Sequence, residues 1–209
     1  MQRSATPRPD TVDPPDGRPL RRDAAENQER LLAAAAAMFG REGRDVSMAA
    51  IADEAGVGIG TLYRRYPNRD ALLSALTQRS FELVLRSAAR AASGDRPGIV
   101  ALEAFYDDTI GHRHELVLPL HGGPTELNEA SRQLRRQIHD TIDTLLERGR
   151  RDRTIRDDVT ADDAIAFGAL LAHTLAPDQA WVSLLHRQKQ VYLAGLARRA
   201  TELGASDDR

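Results

Sequence analysis

Residues 58–69 combine the side-chain types that fit the major groove of double-stranded DNA. Gly58, Gly60 and Thr61 are small, and the segment contains three arginines and no acidic residue. The major groove is about 12 Å wide, so it admits one helix, preferably with small side chains at its leading edge. Arginine and tyrosine side chains can then reach phosphates or base edges. The composition of this segment therefore predicts a helix that reads DNA.

Two short helices separated by a glycine turn are predicted to position this segment. Ser47 is a typical N-cap residue, and an apolar stripe at helical spacing follows it. Gly56 can adopt the left-handed conformation that ends a helix, here after about two turns. A second helix begins near Gly58 and ends before Pro67. Residues 47–69 thus have the spacing of a helix-turn-helix, which predicts a transcriptional regulator rather than an enzyme.

This region resembles the N-terminal signature of the TetR family of repressors over about residues 24–72. The resemblance is carried by Ile51, Ala52, Ala55, Gly56, Val57, Gly60, Thr61, Leu62, Tyr63, Tyr66 and Leu72. It implies a three-helix DNA-binding head. Ser47 stands where the family has threonine, and Gly58 stands where it has serine or threonine, so a hydroxyl that could contact phosphate is missing. Arg65 replaces a histidine and adds permanent charge, which should strengthen salt-dependent binding.

The resemblance also implies which residues touch DNA. Thr61 and Tyr63 match DNA-contacting positions of the family, while Arg65 and Arg69 match positions that face phosphates. The complete set of predicted DNA-binding residues is Ser47, Gly58, Ile59, Gly60, Thr61, Tyr63, Arg64, Arg65 and Arg69. Because this edge is rich in arginine and poor in hydroxyls, we expect phosphate contacts to supply much of the affinity.

The overall composition favours a helical protein without a membrane span. Aromatic residues make up 4% of the 209 residues, and the absence of cysteine excludes disulfides and a thiolate nucleophile. No apolar run approaches the roughly 20 residues that a membrane span needs. The N-terminus lacks the apolar region of a secretory signal, so we expect a cytoplasmic protein. The formal net charge is −2, so DNA contact must come from a local basic surface.

The apolar periodicity predicts an all-α protein of nine helices in two domains. Residues 1–22, rich in proline and arginine, are expected to form a disordered arm. Residues 23–69 are expected to form the helix-turn-helix domain, and residues 70–209 a helical effector-binding and dimerisation domain. Apart from the two short helices, the predicted helices span about 23–41, 69–92, 97–111, 114–121, 125–150, 161–175 and 178–201.

The family resemblance further implies a homodimer, formed by the last two helices, that binds a pseudo-palindromic operator and is released by a small-molecule effector. Small residues such as Ala164 and Gly168 would allow close approach of those helices. Candidate effector-pocket residues are Phe81, Leu85, Leu102, Phe105, Tyr106, Thr109, His112, Leu116, Leu120, Leu146, Phe167 and Trp181. Their tyrosine, histidine and threonine content favours a moderately polar, aromatic effector, although the same residues could simply form the core.

Several other interpretations remain open from the sequence alone. Residues 56–60 superficially resemble a glycine-rich nucleotide loop, but they follow a helix rather than a strand. His112, His114 and His121 with Asp107 and Asp108 could suggest a metal site; only Asp108 and His112 share a helix face. No metal or other cofactor is predicted. A helical enzyme, a helix-turn-helix used only for packing, and a ligand-binding protein that has lost its operator are the alternatives.

Overall fold

The computed structural model describes residues 18–42, 45–118, 124, 126–173 and 179–198, with side chains from Glu26 onward. Within these ranges the regular structure is helical, and the prediction of an all-α fold is confirmed. The α-helices are α1 (Arg18–Glu42), α2 (Met48–Glu54), α3 (Ile59–Arg65), α4 (Arg69–Ala92), α5 (Gly98–Gly111), α6 (Glu129–Arg151), α7 (Ala161–Leu171) and α8 (Gln179–Leu196). A 3-10 helix, Arg113–Glu115, lies between α5 and α6. Eight α-helices are therefore described instead of the nine predicted.

The predicted helix at 114–121 is wrong in the part that the structure describes. After the 3-10 helix the chain is extended through residues 116–118. Side chains of α4 explain the difference, because they satisfy the backbone of Val117: its amide donates to Ser80 Oγ and its carbonyl accepts from Thr77 Oγ1, both at 2.8 Å. A buried peptide group with both bonds made in this way gains nothing by becoming helical.

Other helix ends shift by several residues. α1 begins at Arg18 rather than Asp23, since Pro19 falls in the first turn, where a missing N–H costs no helical hydrogen bond. α6 begins at Glu129 rather than near 125, because the Asn128 side chain accepts from the amide of Ser131 at 2.8 Å. α7 ends at Leu171 instead of 175. The proposed arm falls mostly at residues 1–17, outside the described ranges.

Two hydrophobic cores divide the described chain along α4. The first core joins α1, α2 and α3 to the start of α4, and Ile51, Leu62 and Leu72 are completely buried in it. The second core joins the rest of α4 to the helices from α5 onward, with Leu102, Ile142 and Leu145 completely buried. Burying such side chains stabilises the fold by about 1.5–3 kcal/mol each. The first core contacts α3 on one side only, and the other side of this helix is not packed against it.

Arg79 connects α4 to both neighbouring parts of the molecule. Its side chain is 8% exposed and donates to Glu29 on α1 and to Glu115 in the 3-10 helix, each at 2.7 Å. Burial by itself lowers the pKa of Arg79, but the hydrogen bonds to the two carboxylates outweigh it, and the net pKa is raised. The guanidinium thus stays charged and holds α1 against the segment after α5.

A second buried cation joins α5 to α8. Lys189, the chain's single lysine, is 4% exposed and lies 3.0 Å from Glu103 and 2.7 Å from Asp107. Burial lowers the pKa of Lys189 while the two carboxylates raise it, and the carboxylates prevail. α8 is therefore ion-paired with α5 as well as packed against it.

α5 and α6 cross at two glycines with no room for a side chain. A Cβ atom added at Gly98 would lie 2.3 Å from the backbone of Gly149. We expect Gly98→Ala to lower the free energy of unfolding by about 1–3 kcal/mol or more, because the backbones must separate. Gly111→Ala is the matched control in the same helix, since a Cβ there meets no described atom within 4 Å. Urea unfolding followed by circular dichroism measures both, and equal stabilities would contradict the close crossing.

Candidate DNA-binding interface and ligand cavity

The turn between α2 and α3 has the geometry that the sequence predicts. Ser47 caps α2, and its hydroxyl accepts from the amide of Ala50 at 3.1 Å. Gly56 has a φ of +66°, a left-handed value that favours glycine, and ends the helix. Gly58 is the N-cap of α3 without a side-chain hydrogen bond. No side chain caps the first turn of α3, so the backbone of the turn alone sets the direction in which this helix begins.

α3 exposes nearly its whole surface. Leu62 is its one buried residue and anchors the helix in the first core. Ile59 is 42% exposed and Tyr63 is 47% exposed, and these two residues, four apart, share a face. Gly60, Thr61, Arg64 and Arg65 are also exposed. The predicted DNA-reading residues of α3 are thus gathered on one accessible helix.

The three arginines of this region are held differently. Among the described residues, the only hydrogen-bond partner of Arg64 is Thr61 in its own helix, at a long 3.3 Å. Arg65 donates to the side-chain oxygen of Gln28 on α1. Arg69 is half-buried: it donates to the backbone carbonyl of Val46 and lies over the ring of Phe39, 5.0 Å from its centroid. Arg69 therefore braces the three-helix head in this structure, and its contact with phosphate stays a prediction.

A cavity of about 430 Å³ lies among α4, α5, α6 and α7. Its volume is within the usual range for small-molecule sites. The lining residues are Phe81, Val84, Phe105, Thr109, Leu116, Leu118, Leu127, Arg135, Ile138, His139, Asp162, Ile165, Ala166, Gly168 and Ala169. Four of the predicted pocket residues, Phe81, Phe105, Thr109 and Leu116, are among them.

The other predicted pocket residues do not line this cavity. Leu102, Tyr106 and Leu146 are completely buried in the second core, which holds them by side-chain packing. Tyr106 packs edge-on against Phe167 at 5.3 Å and donates to the carbonyl of Ala164, and burial raises its pKa. Leu85, His112, Phe167 and Trp181 also lie outside the lining, and Leu120 falls outside the described residues. The cavity is consequently less aromatic than predicted, and apart from Thr109 its polar lining residues are not the predicted ones.

Sequence reasoning missed the polar residues at the cavity, above all Arg135, His139 and Asp162. Arg135 lies off the apolar stripe of α6, a position that helical periodicity predicts to face solvent. The residue has an exposed side chain, so periodicity was a fair guide to its accessibility. Nothing in the spacing indicated that α7 would leave a space beside it.

The alternative of a metal site finds no support at Asp108 and His112. The Asp108 carboxylate binds Arg90 at 2.6 Å, and His112 Nδ1 lies 2.8 Å from the backbone oxygen of Asp108 rather than from its carboxylate. In the part of the chain that the structure describes, which leaves out His121, no three His, Asp or Glu residues are grouped to hold a metal ion. Among the described residues no helix is long and apolar enough to cross a membrane.

Known proteins share both the head and the whole fold. The pattern of the family described as "Bacterial regulatory proteins, tetR family" matches residues 31–76. A TetR regulatory protein from Mycobacterium vanbaalenii is 32% identical, with 86% of this chain and 99% of that chain covered and a TM-score of 0.61. A TetR regulator from Streptomyces coelicolor is 28% identical, with 83% and 99% covered and a TM-score of 0.60. An HTH-type transcriptional regulator of Staphylococcus aureus is 37% identical over 67 residues, which span 32% of this chain but only 36% of that relative.

The exposed α3 and the capped turn before it define a helix-turn-helix DNA-binding protein. The chain belongs to the TetR family of bacterial transcriptional regulators, and the prediction made from residues 24–72 is confirmed.

The difference between the contacts of Arg64 and those of Arg69 can be tested by measuring the free energy of unfolding of two variants. We expect Arg69→Ala to lower the free energy of unfolding by about 1–3 kcal/mol, because a hydrogen bond and a cation–π contact are lost. Arg64→Ala is the control, and as an exposed substitution it should stay within about 0.5 kcal/mol of the parent protein. Urea unfolding measures both variants. Equal stabilities would mean that Arg69 does not brace the head.

Proposed function

We propose that this protein is a ligand-responsive repressor that binds a pseudo-palindromic operator as a homodimer and is released by a small-molecule effector. One observation carries the proposal: residues 116–118 belong both to the cavity and to the DNA-binding head. Leu116 and Leu118 line the cavity, whereas Val117, 4% exposed, belongs to the first core. In an extended segment alternate side chains point to opposite sides, which accounts for this division.

This arrangement provides a physical route from effector to DNA. A molecule that displaces Leu116 or Leu118 also displaces Val117, because the three residues are consecutive. Val117 is hydrogen-bonded to Thr77 and Ser80 on α4, whose first turn belongs to the head. For release, the effector must bind the conformation that does not fit DNA more tightly than the conformation that does. The coupling is then reciprocal, so that DNA weakens effector binding by the same factor.

Exposed apolar side chains on the last two helices support the homodimer. Leu170 on α7 is 60% exposed, and Leu184 and Val191 on α8 are 39% and 62% exposed. Leu184 and Val191 are seven residues apart and lie on one face of α8. Covering this surface with the same surface of a second copy would give a four-helix interface. Two heads would then meet half-sites about 34–36 Å apart.

DNA binding is tested with a duplex from the region upstream of the protein's own gene. In fluorescence anisotropy, we expect Arg64→Ala to weaken binding at least about fivefold, since one base or phosphate contact is worth about 1–3 kcal/mol. Arg86→Ala removes an equal charge from an exposed site in the C-terminal half of α4 and should bind as the parent protein does. A salt titration should show a reduced slope only if Arg64 binds phosphate. If the parent protein shows no specific binding, the proposal fails, and the alternative of a ligand-binding protein that has lost its operator remains.

The proposed dimer face is tested by placing a charge on it. We expect the parent protein to show a mass near twice 23.0 kDa in light scattering. Val191→Asp should shift the mass toward the monomer, because a buried, unpaired carboxylate opposes association. Val100→Asp is the control, since Val100 is 41% exposed on α5, outside the last two helices. A dimer that persists in Val191→Asp, or a monomeric parent protein, would exclude this interface.

A further inference from the structure

The cavity combines apolar walls with charged groups on one side. Its walls include Phe81, Phe105 and Leu116, which come from α4, α5 and the segment that follows α5. Its charged or titratable lining residues are Arg135 and His139 on α6 and Asp162 on α7. A ligand that fits therefore needs an apolar body and a polar group at one end. Whether the polar group of the ligand should be anionic or cationic depends on which charged lining residue has no partner within the protein.

Arg135 is the available group. Its side chain is exposed, and it makes no hydrogen bond or ion pair with any residue in the described ranges. The neighbouring Arg132 and Arg136 differ, because the Glu129 carboxylate binds them at 2.9 and 3.0 Å. An arginine fork pairs well with a carboxylate through two parallel hydrogen bonds. Arg135 thus offers an unused anion-binding group beside an apolar space.

The acidic residue of the lining is largely exposed to solvent. The Asp162 carboxylate lies 3.6 Å from Nε2 of His139, and the other ring nitrogen of His139 lies 3.1 Å from Asp143. Asp162 is also 86% exposed at its side chain, so solvent screens much of its repulsion of an anion. A cationic ligand would gain little from so exposed a carboxylate, whereas an anionic ligand finds Arg135 unpaired among the described residues.

We propose that the effector is a lipophilic carboxylate whose apolar body occupies the cavity and whose carboxylate pairs with Arg135. This inference rests on the proposed function, because it names the effector of the same cavity. A volume of about 430 Å³ lies toward the small end of the range for small-molecule sites. The cavity therefore suits a small lipophilic acid, and decanoate is a suitable probe.

The test measures binding to the full-length protein without DNA by isothermal titration calorimetry. Decanoate is compared with decanamide, a neutral analogue of the same shape, and with decylamine, a cationic one. We expect decanoate to bind about five- to tenfold more tightly than decanamide, as a charge-assisted hydrogen bond predicts. Decylamine should bind more weakly than either. Equal binding of decanoate and decanamide, tighter binding of decylamine, or no binding of decanoate would each overturn the proposal.

Two variants test whether Arg135 is the residue that causes the preference for decanoate over decanamide. Arg135→Gln should abolish the preference for decanoate over decanamide while leaving decanamide binding within about twofold, since the apolar walls are unchanged. Arg136→Gln is the matched control: it removes the same charge one residue away, from a side chain that Glu129 holds and that does not line the cavity, and it should keep the preference. A preference retained in Arg135→Gln, or lost equally in both variants, would exclude Arg135 as the carboxylate-binding residue.

A parallel anisotropy experiment separates this inference from the proposed function. Adding decanoate to the protein bound to its upstream duplex should release the DNA, and Arg135→Gln should need a higher concentration for release. If decanoate binds selectively through Arg135 but leaves DNA binding unchanged, the ligand inference stands and the proposed release mechanism fails. If the calorimetric preference is absent, the ligand inference fails whatever happens to the DNA.

Discussion

Val117 is hydrogen-bonded through both its amide and its carbonyl to side chains of α4, and the relation between the two cores depends on these bonds. Thr77 and Ser80, which make them, are completely buried. An unpaired buried peptide group costs about 1–3 kcal/mol, so the segment cannot leave α4 without a penalty. Residues 116–118 therefore move together with α4 or remain in place. We therefore propose that a change in the cavity is transmitted to the head through this segment.

Arg79 adds an electrostatic connection at the same level of α4. It binds α1 through Glu29 and the 3-10 helix through Glu115, so that one guanidinium on α4 contacts two other elements. Both carboxylates are substantially exposed, at 60% and 41% of their side chains, and can be resolvated if the contact opens. The cost of opening the contact therefore falls mainly on Arg79, which is 8% exposed and would lose both partners. The head is thus connected to the cavity by packing and by charge, through different residues.

The sequence predicted best the parts of the molecule that depend on local backbone chemistry. Ser47 and Gly56 specify a cap and a left-handed turn within a few residues, and the structure shows both. Residues 116–118 could not be predicted in the same way. Their extended conformation depends on hydroxyl groups some 40 positions earlier in the chain, and leucine and valine carry no signal of that pairing.

Contacts with residues far away in the sequence also determine which partners the individual arginines have. Arg69 matches a phosphate-facing position of the family, yet in this chain Phe39 and the Val46 carbonyl lie where they can hold it. Arg135 and Arg136 are adjacent in the sequence, and only the position of Glu129 on the helix distinguishes the paired side chain from the unpaired one. A pattern of residue types predicts that a surface is basic. It does not predict which arginine side chains lack a partner within the protein and can bind an anion.

α5 lines the cavity and also contacts α8, which carries part of the proposed dimer face. Phe105 and Thr109 line the cavity, while Glu103 and Asp107 of the same helix hold Lys189 of α8. If two copies meet through α8, a shift of α5 on ligand binding also changes the angle between the copies. The separation of two reading helices on DNA is fixed by the half-site spacing, about 34–36 Å, so a small rotation at the dimer face is sufficient to spoil the fit. Under the proposed function, an effector would act on DNA binding by two routes, through residues 116–118 to each head and through Lys189 to the spacing between the heads.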